Sequence, residues 1–175
     1  MTSRVVLRIE APGWRRRLPA AAQLVRRAAG AALLAARPAG RRRGLAKGGE
    51  LCIVLADDRL QRRLNRAFRG RDKSTNVLSF EGVSEGPHPA NLGDVVLALG
   101  TIAREAKAQD KRLADHVTHL VIHGVLHLMG YDHEKESEAL RMERLETRIL
   151  AGLDIADPYG AAPRGSARAK PRRRA

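Results

Sequence analysis

The sequence predicts a single α+β domain (mixed α/β), in which a small sheet of about four strands is packed with about five helices. Segments with the patterns of strands are interspersed along the chain with longer segments of helical periodicity. Hydrophobic residues make up 43% of the 175 residues, which supports one buried core, and the 3% of aromatic residues predict an aliphatic core. We expect this domain to span residues 1–157.

The strands are predicted from alternation and from apolar runs. Val5 to Ile9 alternates with charged residues, which is typical of a half-exposed strand. Leu51 to Leu55 is a continuous apolar run bounded by glycine and aspartate residues, which predicts a buried strand. Two further strands are expected at residues 76–80 and 94–99. Cys52 lies within the apolar run, so we expect a buried structural thiol.

The helices are predicted from apolar residues spaced at the helical period. Segments with this spacing lie at residues 18–37, 58–68, 101–110, 113–129 and 134–150. Pro38 stops the first of these helices, and Thr101 is expected to cap the third. The helix over residues 113–129 is apolar nearly all round, which is typical of a buried helix.

Three histidines at the end of that helix are the strongest functional signal. His123 and His127 are four residues apart, so they lie on the same helix face. Gly130 favours a left-handed turn that would bring His133 back toward them. Burial of three imidazoles without hydrogen-bond partners would destabilise the fold by on the order of a few kcal/mol each, whereas one divalent ion can bind all three. The spacing therefore predicts a metal tripod with an open coordination position.

The spacing alone does not identify the reaction. The same arrangement, His-x3-His-x5-His, occurs in metzincin proteases, where a glutamate after the first histidine is the general base. That position is Gly124 here, which cannot accept a proton. A zinc hydrolase acting on peptides or amides is therefore disfavoured but stays an alternative.

A second cluster of candidate residues contains Arg69, Arg71 and Lys73, three cations within five residues. Arginine can grip phosphate oxygens bidentately and stabilise growing negative charge. From the residues alone, a solvated charged loop is the simpler interpretation.

Both clusters resemble motifs of the YbeY family, the bacterial metal-dependent endoribonucleases of rRNA maturation. The string from His123 to His133 is similar to the family signature, and Arg69 before Gly70 matches the arginine of the second motif. The match runs from about residue 51 to residue 150. The chain departs from the family at Asn76, where the family usually has aspartate, and at Ser74 and Glu81, where it often has proline.

The resemblance implies a single-strand-specific, zinc-dependent endoribonuclease acting in 16S rRNA 3′-end maturation and ribosome quality control. His123, His127 and His133 would bind one Zn²⁺, and Arg69 and His123 would be catalytic. The partners would be single-stranded RNA, the 16S rRNA precursor, and the small ribosomal subunit with its assembly proteins. We expect a cytoplasmic protein without a membrane partner. An acid–base or metal role of the family aspartate does not carry over to Asn76, whereas a turn-capping role does.

A non-catalytic ribosome assembly factor that binds rRNA and uses zinc structurally is a further alternative. Structural zinc normally has four protein ligands, so a fourth ligand from Asp132 or Glu134 would favour it. Asp132 is otherwise expected to be structural or to accept a hydrogen bond from a ligand histidine. His119 is expected either to orient His123 or to be a structural histidine. His116 is expected near the rim of the site, and no role is assigned to His88.

The charge of the chain points to a polyanion. The formal net charge is +14 and the pI about 11.3, which favours nucleic acid or an acidic membrane surface, although arginine-rich codon usage explains part of the excess. A single cysteine fits a reducing compartment. Residues 158–175 are rich in basic residues and are expected to form a disordered tail that binds RNA only through charge.

Overall fold

The computed structural model describes residues 3–37, 39, 49–82 and 90–160. Four strands lie in these ranges, β1 (Arg4–Ile9), β2 (Gly49–Ala56), β3 (Val77–Glu81) and β4 (Ala90–Ala98). The helices are α1 (Gly13–Arg17), α2 (Ala21–Ala35), α3 (Asp58–Arg69), α4 (Leu99–Ala108), α5 (Leu113–Leu128) and α6 (Glu136–Ala151). The α+β class and the four-stranded sheet are therefore confirmed. The tail from residue 161 onward and His88 lie outside the described residues.

The sheet has the strand order β1-β2-β4-β3. Strands β1, β2 and β4 are parallel, and β3 pairs antiparallel with β4 at the edge. Only one face of β2 is completely buried, since Leu51, Ile53 and Leu55 are fully covered while Cys52 and Val54 are half-buried. Cys52 is therefore half-buried rather than buried as expected, and burial with the neighbouring Asp94 raises the pKa of its thiol.

Helix α5 is the central helix of the fold, and it packs against α2, α4, α6, β3 and β4. Its apolar residues are buried, as its composition predicts. Gly124 allows the helix to approach the sheet closely, because a Cβ atom there would lie 2.7 Å from Val95 Cγ1. Ser79 Oγ donates a hydrogen bond to the Gly124 carbonyl at 3.1 Å. The absence of a side chain at Gly124 thus fixes the position of α5 against β3 and β4.

A short helix precedes the first predicted helix. The short helix α1 was not predicted, and α2 begins at Ala21 rather than at residue 18. Trp14 explains why α1 is separate from α2. Its indole is fully buried, and its Nε1–H donates a hydrogen bond to the Ala56 carbonyl at 2.8 Å. This long-range contact orders a separate turn of helix before α2.

Thr101 does not cap α4, contrary to the prediction. The helix begins two residues earlier, at Leu99, and its N-cap residue, Ala98, makes no side-chain cap. Instead, Asp58 Oδ1 from α3 accepts a hydrogen bond from the Thr101 backbone N–H at 2.8 Å. No helix in the described part of the chain is long and apolar enough to cross a membrane.

Candidate active site

The end of α5 and the turn after it bring the three predicted histidines together. Gly130 adopts the left-handed conformation, with φ of 87°, and the chain reverses there. The ring centroids of His123 and His127 are 4.6 Å apart, and that of His133 lies 4.9 Å from His127 and 5.7 Å from His123. One potential ligand atom from each residue lies within 4.8 Å of the others. The described structure thus contains the tripod that the spacing predicts.

Hydrogen bonds fix which nitrogen of each helical histidine faces the centre of the tripod. His127 Nδ1 lies 3.0 Å from the Tyr131 carbonyl, and His123 Nδ1 lies 2.7 Å from Glu146 Oε1. A carbonyl and an ionised carboxylate can only accept hydrogen bonds, so both Nδ1 atoms carry the proton. In the neutral form of either ring, Nε2 then carries no proton and presents a lone pair.

The two Nε2 atoms face each other across a short gap. His123 Nε2 and His127 Nε2 are 3.1 Å apart, a distance that suits a shared proton and is also short enough for one metal ion to bind both nitrogens. Burial, with His123 and His133 nearby, lowers the pKa of His127 to about 4, so its ring is neutral near pH 7. Neutral imidazole nitrogens are preferred ligands of divalent transition metals. These residues consequently fit a metal ion.

A buried carboxylate, Glu146 of α6, completes the surroundings of His123. Its side chain is fully buried and accepts hydrogen bonds from His123 Nδ1, from His119 Nε2 at 3.2 Å and from the Tyr159 hydroxyl. Burial alone would raise the pKa of Glu146, but the hydrogen bonds from His119 and His123 lower it to about 2. Glu146 is thus ionised at neutral pH.

Arg69 lies in the same cleft as the histidines. The cleft has a volume of about 690 Å³, and its lining includes His123, His127 and His133, the β3 residues Ser79 and Glu81, and Arg69. Helix α3 ends directly after Arg69, because Gly70 takes the left-handed conformation with φ of 65°. Neither Arg71 nor Lys73 lines this cleft. The structure therefore distinguishes Arg69 from its basic neighbours by position, while its catalytic role stays a prediction.

The family model of the endoribonuclease YbeY matches residues 23–154. The chain belongs to the endoribonuclease YbeY family. A YbeY endoribonuclease of Rhodospirillum rubrum is 50% identical over 157 residues, which cover 85% of this chain and 78% of the relative. One of Azorhizobium caulinodans is 48% identical over 159 residues, covering 90% and 96%. The solution structure of TM1509 from Thermotoga maritima aligns over 90% of this chain and all of its own, with 19% identity and a TM-score of 0.47.

Family membership confirms the resemblance and the expected enzyme class, an endoribonuclease. Asn76, where the family resemblance implies an aspartate, lines the cleft. Asn76 Nδ2 donates to Glu105 Oε2 at 2.9 Å, and Asn76 Oδ1 accepts from the Val77 N–H at 2.7 Å. An aspartate at this position would place a second carboxylate against Glu105. The asparagine of this YbeY-family chain is therefore matched to its neighbour.

Glu105 also holds His116, whose Nε2 lies 2.9 Å from the same carboxylate oxygen. His116 is only 5% exposed, so the expectation that it lies near the rim is wrong. Burial lowers the pKa of His116, against the opposing effect of Glu105. This histidine is part of the core, since α5 turns it toward α4 rather than toward the cleft.

In the described structure, neither His119 nor Asp132 forms a hydrogen bond with the ring of a tripod histidine. His119 does not bond to His123 directly; both rings bond to Glu146, so His119 supports His123 only through that carboxylate. Asp132 Oδ1 accepts from the backbone N–H of His133 at 2.7 Å rather than from the ring of a ligand histidine. Among the described residues, neither Asp132 nor Glu134 joins the histidine tripod as a fourth ligand.

Proposed function

We propose that this chain is a zinc-dependent endoribonuclease specific for single-stranded RNA, acting in 16S rRNA 3′-end maturation and ribosome quality control. Family membership supports the reaction class. The observation that carries the metal dependence is the convergence of His123, His127 and His133, in which the Nε2 atoms of the first two lie 3.1 Å apart. Because Arg69 lines the same cleft, a metal ion and a guanidinium group would act on one substrate.

The histidines would hold one zinc ion per chain. His123 and His127 would bind through Nε2, because their Nδ1 protons are engaged elsewhere. A set of three imidazoles without a fourth protein ligand is typical of catalytic zinc rather than structural zinc. When bound, the ion would lower the pKa of a water molecule and polarise a phosphoryl oxygen.

Arg69 would bind the phosphate that is cleaved. Its guanidinium group carries a permanent charge and can donate two parallel hydrogen bonds to the non-bridging oxygens. Since negative charge on these oxygens increases toward the transition state, the contact strengthens as the reaction proceeds. Arg69 is exposed, so it is accessible to a polymer that enters the cleft from solvent.

The remainder of the surface suits an RNA substrate. The exposed side of α3 carries arginine residues along its length, at positions 59, 62, 63, 66 and 69. With a net charge of +14, the chain attracts a polyanion and steers it toward the cleft. The 16S rRNA precursor, the small ribosomal subunit, its assembly proteins and the cytoplasmic location follow from the family resemblance and are part of the proposal.

The two alternatives predict different outcomes in one experiment. The purified protein is depleted of metal, a portion is restored with zinc, and each is given single-stranded RNA, duplex RNA and a peptide. We expect only the zinc-restored protein to cleave RNA, with single-stranded RNA preferred and the peptide intact. Peptide cleavage would support the hydrolase alternative, and RNA binding without cleavage would support the assembly factor.

A further inference from the structure

We propose that Glu146 is a positioning residue that orients the metal ligand His123, and that Tyr159, which follows the last helix, holds Glu146 in place. This inference rests on the proposed metal-binding role of His123. It assigns a function to a buried carboxylate and to a C-terminal tyrosine that the proposed reaction does not use.

Glu146 occupies a position where an apolar side chain would be expected. It lies on the inner face of α6 with Met142, Ile149 and Leu150, all of which are buried. A carboxylate without partners would destabilise such a site strongly, and an apolar residue would fill it without this penalty. Its three hydrogen-bond donors all come from residues around the tripod. The carboxylate is therefore suited to a functional role.

The two carboxylate oxygens have different partners. Oε1 accepts from His123 Nδ1 at 2.7 Å, while Oε2 accepts from Tyr159 and from His119 Nε2. Because both oxygens are engaged, the carboxylate cannot rotate without breaking at least one of these bonds. This arrangement holds the proton of His123 on Nδ1, directs the Nε2 lone pair into the tripod and increases the basicity of the ring.

Tyr159 is itself held by the turn that precedes it. Asp157 Oδ1 accepts from the Tyr159 N–H at 2.9 Å and from Thr147 Oγ1 of α6 at 3.1 Å. The Tyr159 ring also contacts the His119 ring edge-on, with centroids 5.6 Å apart. Residues 157–160, which we name the C-terminal brace, are thereby fixed to α6 and to α5. The brace extends past residue 157, where the sequence places the start of the tail.

His127 has no such dependence on distant residues. Its Nδ1–H donates to the backbone carbonyl of Tyr131, four residues away in the same turn. Any residue at that position would supply the carbonyl. Of the two helical ligands, only His123 relies on a side chain from another helix, so its orientation is the one that substitution can disturb.

The test compares Glu146→Gln and Tyr159→Phe with wild type and with a matched control, Glu143→Gln, which removes a charge from the same helix. The amide of Glu146→Gln would keep one acceptor oxygen and replace the other with an NH2 donor, so it loses the negative charge and one of the two acceptor atoms that now face His123 and Tyr159. Zinc affinity is measured by competition with a chromophoric chelator. The protonated nitrogen of His123 is identified by long-range ¹H–¹⁵N NMR of the metal-free proteins, whose folding is checked by thermal unfolding.

We expect Glu146→Gln to weaken zinc binding about 10–100-fold. We expect Tyr159→Phe to weaken it less, and Glu143→Gln to match wild type. In metal-free wild type, His123 should carry its proton on Nδ1, and in Glu146→Gln the proton should be distributed over both nitrogens. A folded Glu146→Gln protein with unchanged zinc affinity and an unchanged Nδ1–H signal would overturn the proposal.

Two further outcomes keep the test decisive. If Glu146→Gln does not fold, the zinc affinity of Tyr159→Phe and the wild-type spectrum decide, because a wild-type His123 with its proton on Nε2 and none on Nδ1 contradicts the proposal directly. If wild type shows the expected proton position and zinc affinity but does not cleave RNA, the proposed function fails while the positioning role stands. A failure of either idea is thus distinguishable from a failure of the other.

Discussion

His123 Nε2 and His127 Nε2 lie 3.1 Å apart, and the Nδ1–H group of each ring points away from the other ring to a separate acceptor. This arrangement requires two acceptors at the outer edges of the rings, one from the Tyr131 backbone and one from the Glu146 side chain. The fold therefore holds the two Nε2 atoms where one metal ion could bind both. Metal binding should stabilise the folded chain as well as support its chemistry.

The first prediction is that one zinc ion binds per chain through the tripod. His127→Ala should remove most of the bound zinc, because two imidazoles form a much weaker site than three. At a free zinc concentration 1,000-fold above Kd, the ion should add about 4 kcal/mol to the free energy of unfolding of wild type. Metal analysis and thermal unfolding, with His116→Gln as the control, measure both effects. Stoichiometric zinc in the His127→Ala protein would contradict the assignment.

The second prediction concerns Arg69. Arg69→Ala should reduce single-turnover RNA cleavage by about 10²–10³-fold, because a donor to the developing charge is removed. Zinc content and thermal stability should stay near wild type, since the side chain is exposed. Arg69→Lys should recover part of the rate, because an ammonium group lacks the bidentate geometry. Arg71→Ala is the matched control, with a small effect confined to binding. Cleavage at the full rate by Arg69→Ala would exclude the arginine from the reaction.

The third prediction is that the metal-free protein loses stability in mild acid. The pKa of His116 is lowered by burial, so the unfolded state binds more protons than the folded state as pH falls below the ordinary value of 6.5. The free energy of unfolding should therefore decrease over that range, down to the lowered pKa. His116→Gln keeps a donor to Glu105 and does not titrate, so its pH dependence should be shallower. Urea unfolding between pH 7 and pH 5, with chelator present, measures the slopes, and equal slopes would contradict the prediction.

The fourth prediction concerns the match between Asn76 and Glu105. Asn76→Asp introduces the residue that the family resemblance implies, but it places a second carboxylate close to Glu105, at the present hydrogen-bond distance of 2.9 Å. Repulsion should lower the thermal stability near neutral pH. Glu105→Gln in the same chain should restore most of the loss, because an amide can donate to the new aspartate. A single substitution that leaves thermal unfolding unchanged would show that the pair is not coupled.

The fifth prediction separates the C-terminal brace from the basic tail. The segment 161–175 carries six basic residues and no acidic residue. Truncation after Gly160 should therefore reduce the salt dependence of RNA binding, by about 0.7 in slope for each phosphate that the tail neutralises in the full chain. Turnover of saturating RNA should be nearly unchanged. Truncation after Ala156 also removes Tyr159, so it should weaken zinc binding as well. If the protein truncated after Gly160 lost cleavage at saturating RNA, the tail would have to be part of the active site.

The structural features that were predicted correctly depend on residues close together in the sequence. The helical period of α5 and the turn at Gly130 are local, and together they assemble the tripod. Errors occurred where a partner is distant in sequence. Asp58 of α3 caps the helix that begins at Leu99, and Glu105 draws His116 into the core. The role of Glu146 near the histidines was not predicted. Its position could have indicated it, because Glu146 is an acidic residue among the apolar positions of the last helix.

The contact at Gly124 has a consequence for the width of the cleft. Gly124 follows His123 on α5 and packs against Ser79 and Val95 of the sheet, and Ser79 also lines the cleft. A side chain at this position would meet Val95 and would push the histidine helix away from β3. A residue that does not line the cleft would thereby set the distance between the three histidines and the β3 residues that do.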